Sequence, residues 1–139
     1  MRAVLLGLVG ILFAGCGSDM ATVGGSITLD GKPLAGSDRL RGTVKFSPEG
    51  GHGTTAVGYL DEAGRYNLSS GSRAGLLPGK YLVTVSATEI IPPKIAGAAP
   101  GGRLTTPPRY ADPNNSGFTA DVVRGRNTFD YALSSQTTR

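Results

Sequence analysis

Residues 25–34 read Gly25-Ser26-Ile27-Thr28-Leu29-Asp30-Gly31-Lys32-Pro33-Leu34, and this stretch decides the fold class. Ile27 and Leu29 point one way and Ser26 and Thr28 the other, which is the two-residue period of a strand with one buried face. Asp30-Gly31 supplies the positive-φ pair that a tight hairpin turn needs, and Lys32-Pro33-Leu34 carries the return. The same grammar recurs downstream. Thr43-Val44-Lys45-Phe46-Ser47 alternates and stops at Pro48. After the link Gly50-Gly51-His52-Gly53, the segment from Thr54 to Leu60 reads as a strand. Asp61-Glu62-Ala63-Gly64 then separates it from Arg65-Tyr66-Asn67-Leu68, with Asp61 placed to bond its own backbone ahead. Ser69 to Leu76 reads as a polar loop and Leu77-Pro78-Gly79 as a turn. In Lys80 to Ala87, Tyr81, Val83 and Val85 share a face. Phe118 to Val122 is a further strand. After the turn Arg124-Gly125-Arg126-Asn127, a last strand sets Phe129, Tyr131 and Leu133 against Thr128, Asp130 and Ala132. About seven short strands and many turns predict an all-β protein, a seven-stranded antiparallel Greek-key sandwich. No window after the N-terminal segment has a helical period, and the 22 glycines and 9 prolines break most candidates.

One stretch lacks this pattern. Residues 89–117 hold Pro92, Pro93, Pro100, Pro107, Pro108 and Pro113 and the low-complexity run Ala96-Gly97-Ala98-Ala99-Pro100-Gly101-Gly102. A structureless stretch of this length inside a domain is usually functional or mobile. The composition predicts a mobile tip over 95–104 and a part pinned to the body over 107–113. Tyr110 is the expected pin, flanked by Arg109 and Asp112.

The N-terminus is of another kind. Arg2 is the only charge before Asp19, and Ala3 to Ala14 is almost unbroken apolar sequence. That run suits a signal h-region and falls short of the ~18 residues that argue for a spanning helix. It ends in Phe13-Ala14-Gly15-Cys16, which resembles the lipobox of bacterial lipoproteins, although the family prefers Leu where Phe13 stands. Cys16 is the one cysteine of the chain, so no internal disulfide can form. The resemblance implies cleavage before Cys16, acylation of that residue with several chains, and firm attachment to a membrane. Gly17, rather than Asp, after the cysteine implies the outer membrane. The expected organisation is a signal peptide over 1–15, a tether over 16–24, the sandwich domain over 25–135 and a tail over 136–139.

The strings Gly25 to Leu34, Asp61-Glu62-Ala63-Gly64-Arg65-Tyr66 and Leu77-Pro78-Gly79-Lys80-Tyr81-Leu82-Val83-Thr84-Val85 resemble transthyretin-like (prealbumin-like), carboxypeptidase-regulatory-like β-sandwich domains. Together with the lipobox, Pro107-Pro108-Arg109-Tyr110-Ala111-Asp112-Pro113 and Asn127-Thr128-Phe129-Asp130-Tyr131, they look like short bacterial lipoproteins built on that module. The resemblance implies the fold and the anchor; it assigns no chemistry.

The residues themselves argue against several functions. Loss of residues 1–15 would leave a net charge of about +3, with the cations scattered along the chain. Nucleic-acid binding asks for clustered charge with stacking rings, so it is not expected. His52 is the single histidine, too few for a zinc site or a Ser-His-Asp triad. Asp30, Asp61, Glu62, Asp112 and Asp121 read as turn residues, without a calcium-loop pattern. No cofactor or metal is expected, and the chain reads as a non-enzyme. The expected role is a lipid-anchored envelope module that binds or scaffolds another envelope component. Arg109, Tyr110 and Asp112 are its candidate binding surface, and an envelope protein or a glycan its partner. The glycan alternative draws on exposed tyrosines around Tyr110, and an enzyme of uncharacterised type is the remaining alternative.

Overall fold

The computed structural model describes residues 19–136. The predicted signal peptide, Cys16 and the last three residues of the predicted tail lie outside that range. Twelve strands are formed within it: β1 Thr22–Leu29, β2 Lys32–Pro33, β3 Leu40–Pro48, β4 Ala56–Tyr59, β5 Arg65–Asn67, β6 Ser69–Ser70, β7 Arg73–Ala74, β8 Gly79–Ile91, β9 Gly101–Leu104, β10 Phe118–Val122, β11 Arg126–Thr128 and β12 Tyr131–Leu133. Among the described residues the one helical element is a 3-10 turn, Pro108–Ala111. The strands make two sheets. In the smaller, β1 lies in the middle with β5 and β2 on one side and β11 and β12 on the other. The larger runs β10-β8-β3-β4-β6-β7, with β9 beyond β10 on the same edge of β8.

The all-β expectation is met, and the turn after β1 has the expected form, with Asp30 at φ 51° and Gly31 at φ 80°. Asp61 also behaves as its position implied: its Oδ1 accepts the amides of Ala63 and Arg65, both at 2.9 Å.

The expectations of seven strands and a wholly antiparallel order both need correction. Strands of two and three residues carry too little sequence to show a period, so several were invisible. The C-terminal strands run parallel to β1, in one register: Thr22 to Gly24 face Arg126 to Thr128, and Ile27 to Leu29 face Tyr131 to Leu133. Period-two alternation tells which side chains are buried and is silent about direction. The sheet also begins earlier than expected. Ala21 is buried and bridges Leu76, and β1 starts at Thr22, so the chain joins the body inside the predicted tether.

The break between β11 and β12 is built around Gly25. Its inward face is filled by the Phe129 carbonyl, which would lie 1.8 Å from a Cβ placed there. That carbonyl accepts a 2.6 Å hydrogen bond from the buried Tyr66 hydroxyl. The acceptor it withdraws from Ser26 is replaced by Asp130, whose Oδ1 takes the Ser26 amide at 2.8 Å and its hydroxyl at 3.0 Å. Among the described residues no buried side-chain nitrogen or oxygen is left without a hydrogen-bond partner.

Between the sheets, Phe46 of β3 sits among Tyr66 (6.4 Å between ring centres), Tyr81 (6.2 Å), Phe129 (5.9 Å) and Tyr131 (6.4 Å). Val23, Ile27, Val44, Val83, Val85 and Leu133 complete the buried contact between the two layers. No helix among the described residues is long and apolar enough to cross a membrane.

Candidate interaction surface

The segment 89–117 is ordered differently from its reading. Strand β8 does not end near Ala87 but continues to Ile91, and β9 turns back along it, pairing Thr88 with Leu104 and Ile91 with Gly101. Glu89 and Arg103, directly opposite, form an ion pair. The predicted tip over 95–104 thus contains a strand. Glycine-rich sequence hides it, because Gly101 and Gly102 offer no side-chain pattern. What makes the strand is the unpaired edge of β8 beyond β10.

The Ile90 amide donates to the Arg39 carbonyl at 2.7 Å, on the β3 side of β8. Alternation then turns the backbone groups of Glu89 and Ile91 toward β9 and uses those of Arg103 and Gly101. Gly102 and Leu104 present their amides and carbonyls to the free outer edge. Among the described residues β9 pairs with β8 alone. Ile91, Leu104 and Ile95 are all exposed on this hairpin, Ile95 by 73%. An unpaired edge with apolar side chains is a surface on which another strand can add.

Arg109 and Tyr110 do come together, but as an internal fastening that the Asp112 carboxylate does not join. Tyr110 is only 7% exposed and stacks on Phe118 with ring centres 5.3 Å apart. Its hydroxyl accepts the Ser134 amide at 3.0 Å and an Arg109 Nη2 bond at 2.8 Å. The same nitrogen donates to the carbonyls of Ser134 (2.8 Å) and Gln136 (3.0 Å), and the guanidinium lies 4.6 Å from the Tyr110 ring centre. Burial pushes the phenol up, but the Ser134 amide and Arg109 outweigh it and hold it below the ordinary tyrosine value. Asp112 turns its carboxylate onto its own loop, accepting the Asn114 amide at 2.9 Å and the Asn115 side chain. Tyr110 is therefore the pin of the segment and not an exposed platform. Tyr66 and Tyr81 are buried as well, and Tyr59, 73% exposed, stands by itself. Close by, Asp30 accepts the amide (2.9 Å) and hydroxyl (2.6 Å) of Ser135, which hold its carboxyl below the usual range and fasten the C-terminal segment.

Concave regions lie elsewhere too, a small one between Leu40, Tyr59 and Leu60 and two of larger volume. Of the larger two, one, of about 550 Å³, lies on the outer face of the smaller sheet over Gly24, where Arg65, Asn67, Arg126, Thr128 and Asp130 surround a floor without side chains. The other, of about 460 Å³, lies at the end where the chain enters, between Met20, Glu49, His52, Arg73, Leu77 and Lys80. His52 is exposed, and among the described residues no three His, Cys, Asp or Glu side chains are grouped as metal ligands. Neither of the larger regions sets a nucleophile against a base.

The sequence reading expected the surface at Arg109, Tyr110 and Asp112; the exposed large apolar residues of segment 89–117 are instead Ile91, Ile95 and Leu104. Ile91, Ile95 and Leu104 were the signal available: isolated large apolar residues amid proline and glycine. Comparison with protein-family models, with curated proteins and with solved structures returns no match.

Proposed function

We propose that this chain is a lipid-anchored, non-enzymatic β-sandwich module of the cell envelope, and that it holds a protein partner through the β8–β9 hairpin. The observation that carries the reading is the polarity of β8. Its first residue, Gly79, lies close to Leu76, which bridges Ala21 where the chain enters the body. Its last, Ile91, opens the exposed apolar hairpin. Thirteen residues of strand span up to about 40 Å. A partner bound at the hairpin would be held well away from a membrane to which Cys16 is attached.

The lipobox-like Phe13-Ala14-Gly15-Cys16 supports the anchor and the envelope location, with the outer membrane as the preferred site. Two further features support a transthyretin-like, carboxypeptidase-regulatory-like domain with Greek-key connections. The resembling strings fall on the β1–β2 hairpin, the Asp61 turn and β8, and the last strands close against the first.

Two measurements test the proposal. Labelled palmitate should enter the chain and be absent from Cys16→Ser. A photoreactive residue at Ile95 of the lipidated chain, in its own membrane, should give a discrete protein adduct that Leu104→Asp removes. The same probe at Tyr59 should give none. Equal adducts from both positions, or none from Ile95, would sink the partner claim.

A second reading, glycan binding, draws on the polar groove over Gly24 rather than on Tyr110, whose ring is covered. A glycan array with and without Asn67→Ala decides it. Unchanged or absent signal removes it.

A further inference from the structure

The large exposed apolar residues are not spread evenly. Ile91, Ile95 and Leu104 belong to the hairpin, and Tyr59 stands alone. The remaining two, Leu77 (58% exposed) and Val123 (60%), lie at the opposite end. They flank the point of entry of the chain. The Ala21 amide donates to the Leu76 carbonyl at 2.7 Å, and the Thr22 amide to the Gly125 carbonyl at 2.8 Å. Leu77 and Val123 therefore sit one and two residues from the groups that clamp Ala21 and Thr22. In register, Val122 faces Gly79, which brings the two corners side by side.

We propose that this end of the sandwich, with Leu77 and Val123 at its corners, rests in the lipid headgroup layer. The inference builds on the lipid anchor proposed above and adds an orientation and a contact to it. The occupant follows from chain length. Only Gly17 and Ser18 separate Cys16 from Asp19, so the acylated residue and the first described one are at most about 10 Å apart. A leash that short leaves no room for another protein between this end and the bilayer.

The charges agree with the placement. Arg73, Lys80, Arg124 and Arg126 occupy this end against Asp19, Glu49 and Asp121. Asp19 is taken by Arg124 at 3.3 Å, and Asp121 stands opposite Lys80. Arg73 and Arg126 have no ion-pair partner among the described residues. An apolar pair rimmed by free guanidinium groups suits an interface where acyl chains meet anionic headgroups. The far end, with its hairpin, then points away from the lipid.

The test uses the lipidated full chain in vesicles of phosphatidylethanolamine with phosphatidylglycerol. Cys16 is the single cysteine and its thiol is acylated in that form, so Leu77→Cys, Val123→Cys and Ile95→Cys each give one labelling site. Headgroup nitroxides should strongly quench a fluorophore at 77 or 123, placing it within about 10 Å of the phosphates. At 95 they should leave it unquenched. A flexible insert between Ser18 and Asp19 should leave this pattern unchanged, because the end carries its own affinity. Equal quenching at 77, 123 and 95 in chain whose mass shows acylated Cys16 overturns the orientation alone, as does quenching that disappears with the longer leash. A mass showing unmodified Cys16 overturns the anchor and the orientation together.

Discussion

Replacing Gly25 by alanine should be among the most damaging single-methyl additions in this protein. A Cβ there would lie 1.8 Å from the Phe129 oxygen and 2.6 Å from its carbon. Both are backbone atoms and cannot rotate away. Relief requires the C-terminal strand to retreat by roughly 1 Å or more, which takes the 2.9 Å bond from the Phe129 amide to the Gly24 carbonyl out of range. The Tyr66 hydroxyl loses its 2.6 Å acceptor in the same movement. One surface-side backbone bond costs about 1 kcal/mol, and a buried hydroxyl and carbonyl left unpaired cost about 1–3 kcal/mol more. Against that, alanine saves up to about 1 kcal/mol of unfolded-chain entropy. The net loss is about 2 kcal/mol, or on the order of 10 °C in melting temperature for a domain of this size.

Urea unfolding followed by far-UV circular dichroism measures it; the chain has no tryptophan to report by fluorescence. Gly101→Ala is the control. Its nearest contact would be an ordinary 3.7 Å, so it should stay within about 0.5 kcal/mol of the parent. Tyr66→Phe should cost about 1–2 kcal/mol alone, and less in the Gly25→Ala background, because both act on the same carbonyl. If Gly25→Ala lies within about 1 kcal/mol of the parent, the close packing of Phe129 over Gly25 is not what holds the last strands to β1.

Three further outcomes follow from the same geometry. Tyr110→Phe should cost about 1–2 kcal/mol and accelerate hydrogen exchange at the Ser134 amide, which loses its 3.0 Å acceptor. Stability should fall in alkali. Burial raises Tyr66, Tyr81 and Tyr131, Tyr131 to about 12, so the folded state keeps protons that the unfolded chain gives up near pH 10. The contribution is whole below about pH 10 and is lost as pH rises through the folded values, which a denaturation series from pH 8 to 12 can follow. Replacing residues 92–100 by a two-residue turn should change unfolding by under about 1 kcal/mol, because every residue removed is exposed; a larger loss would mean that the tip supports the sheet.

Much of this architecture is written locally. Alternation in residues 25–29, 43–47, 80–87 and 118–122 is enough to name the buried faces, since side chains in a strand alternate whatever its partner. Asp30-Gly31 and Asp61 act through bonds to their own neighbours, so their turns are legible too. Tyr110 showed its role as a pin by standing outside every strand.

Other properties depend on partners distant in sequence. The parallel pairing of the last strands with β1 comes from residues about a hundred positions apart, and no period records strand direction. Strand β9 exists because β8 outruns its neighbours and leaves an edge to be filled, a matter of relative strand length. Tyr110 could be named as a pin, but only the fold shows that Phe118, Arg109 and the Ser134 backbone cover its ring and take it out of contention as a binding platform. The grouping of Leu77 with Val123 at one end, and of Ile91, Ile95 and Leu104 at the other, is likewise tertiary. Each is an unremarkable apolar residue until packing decides which faces are used up and which are left over.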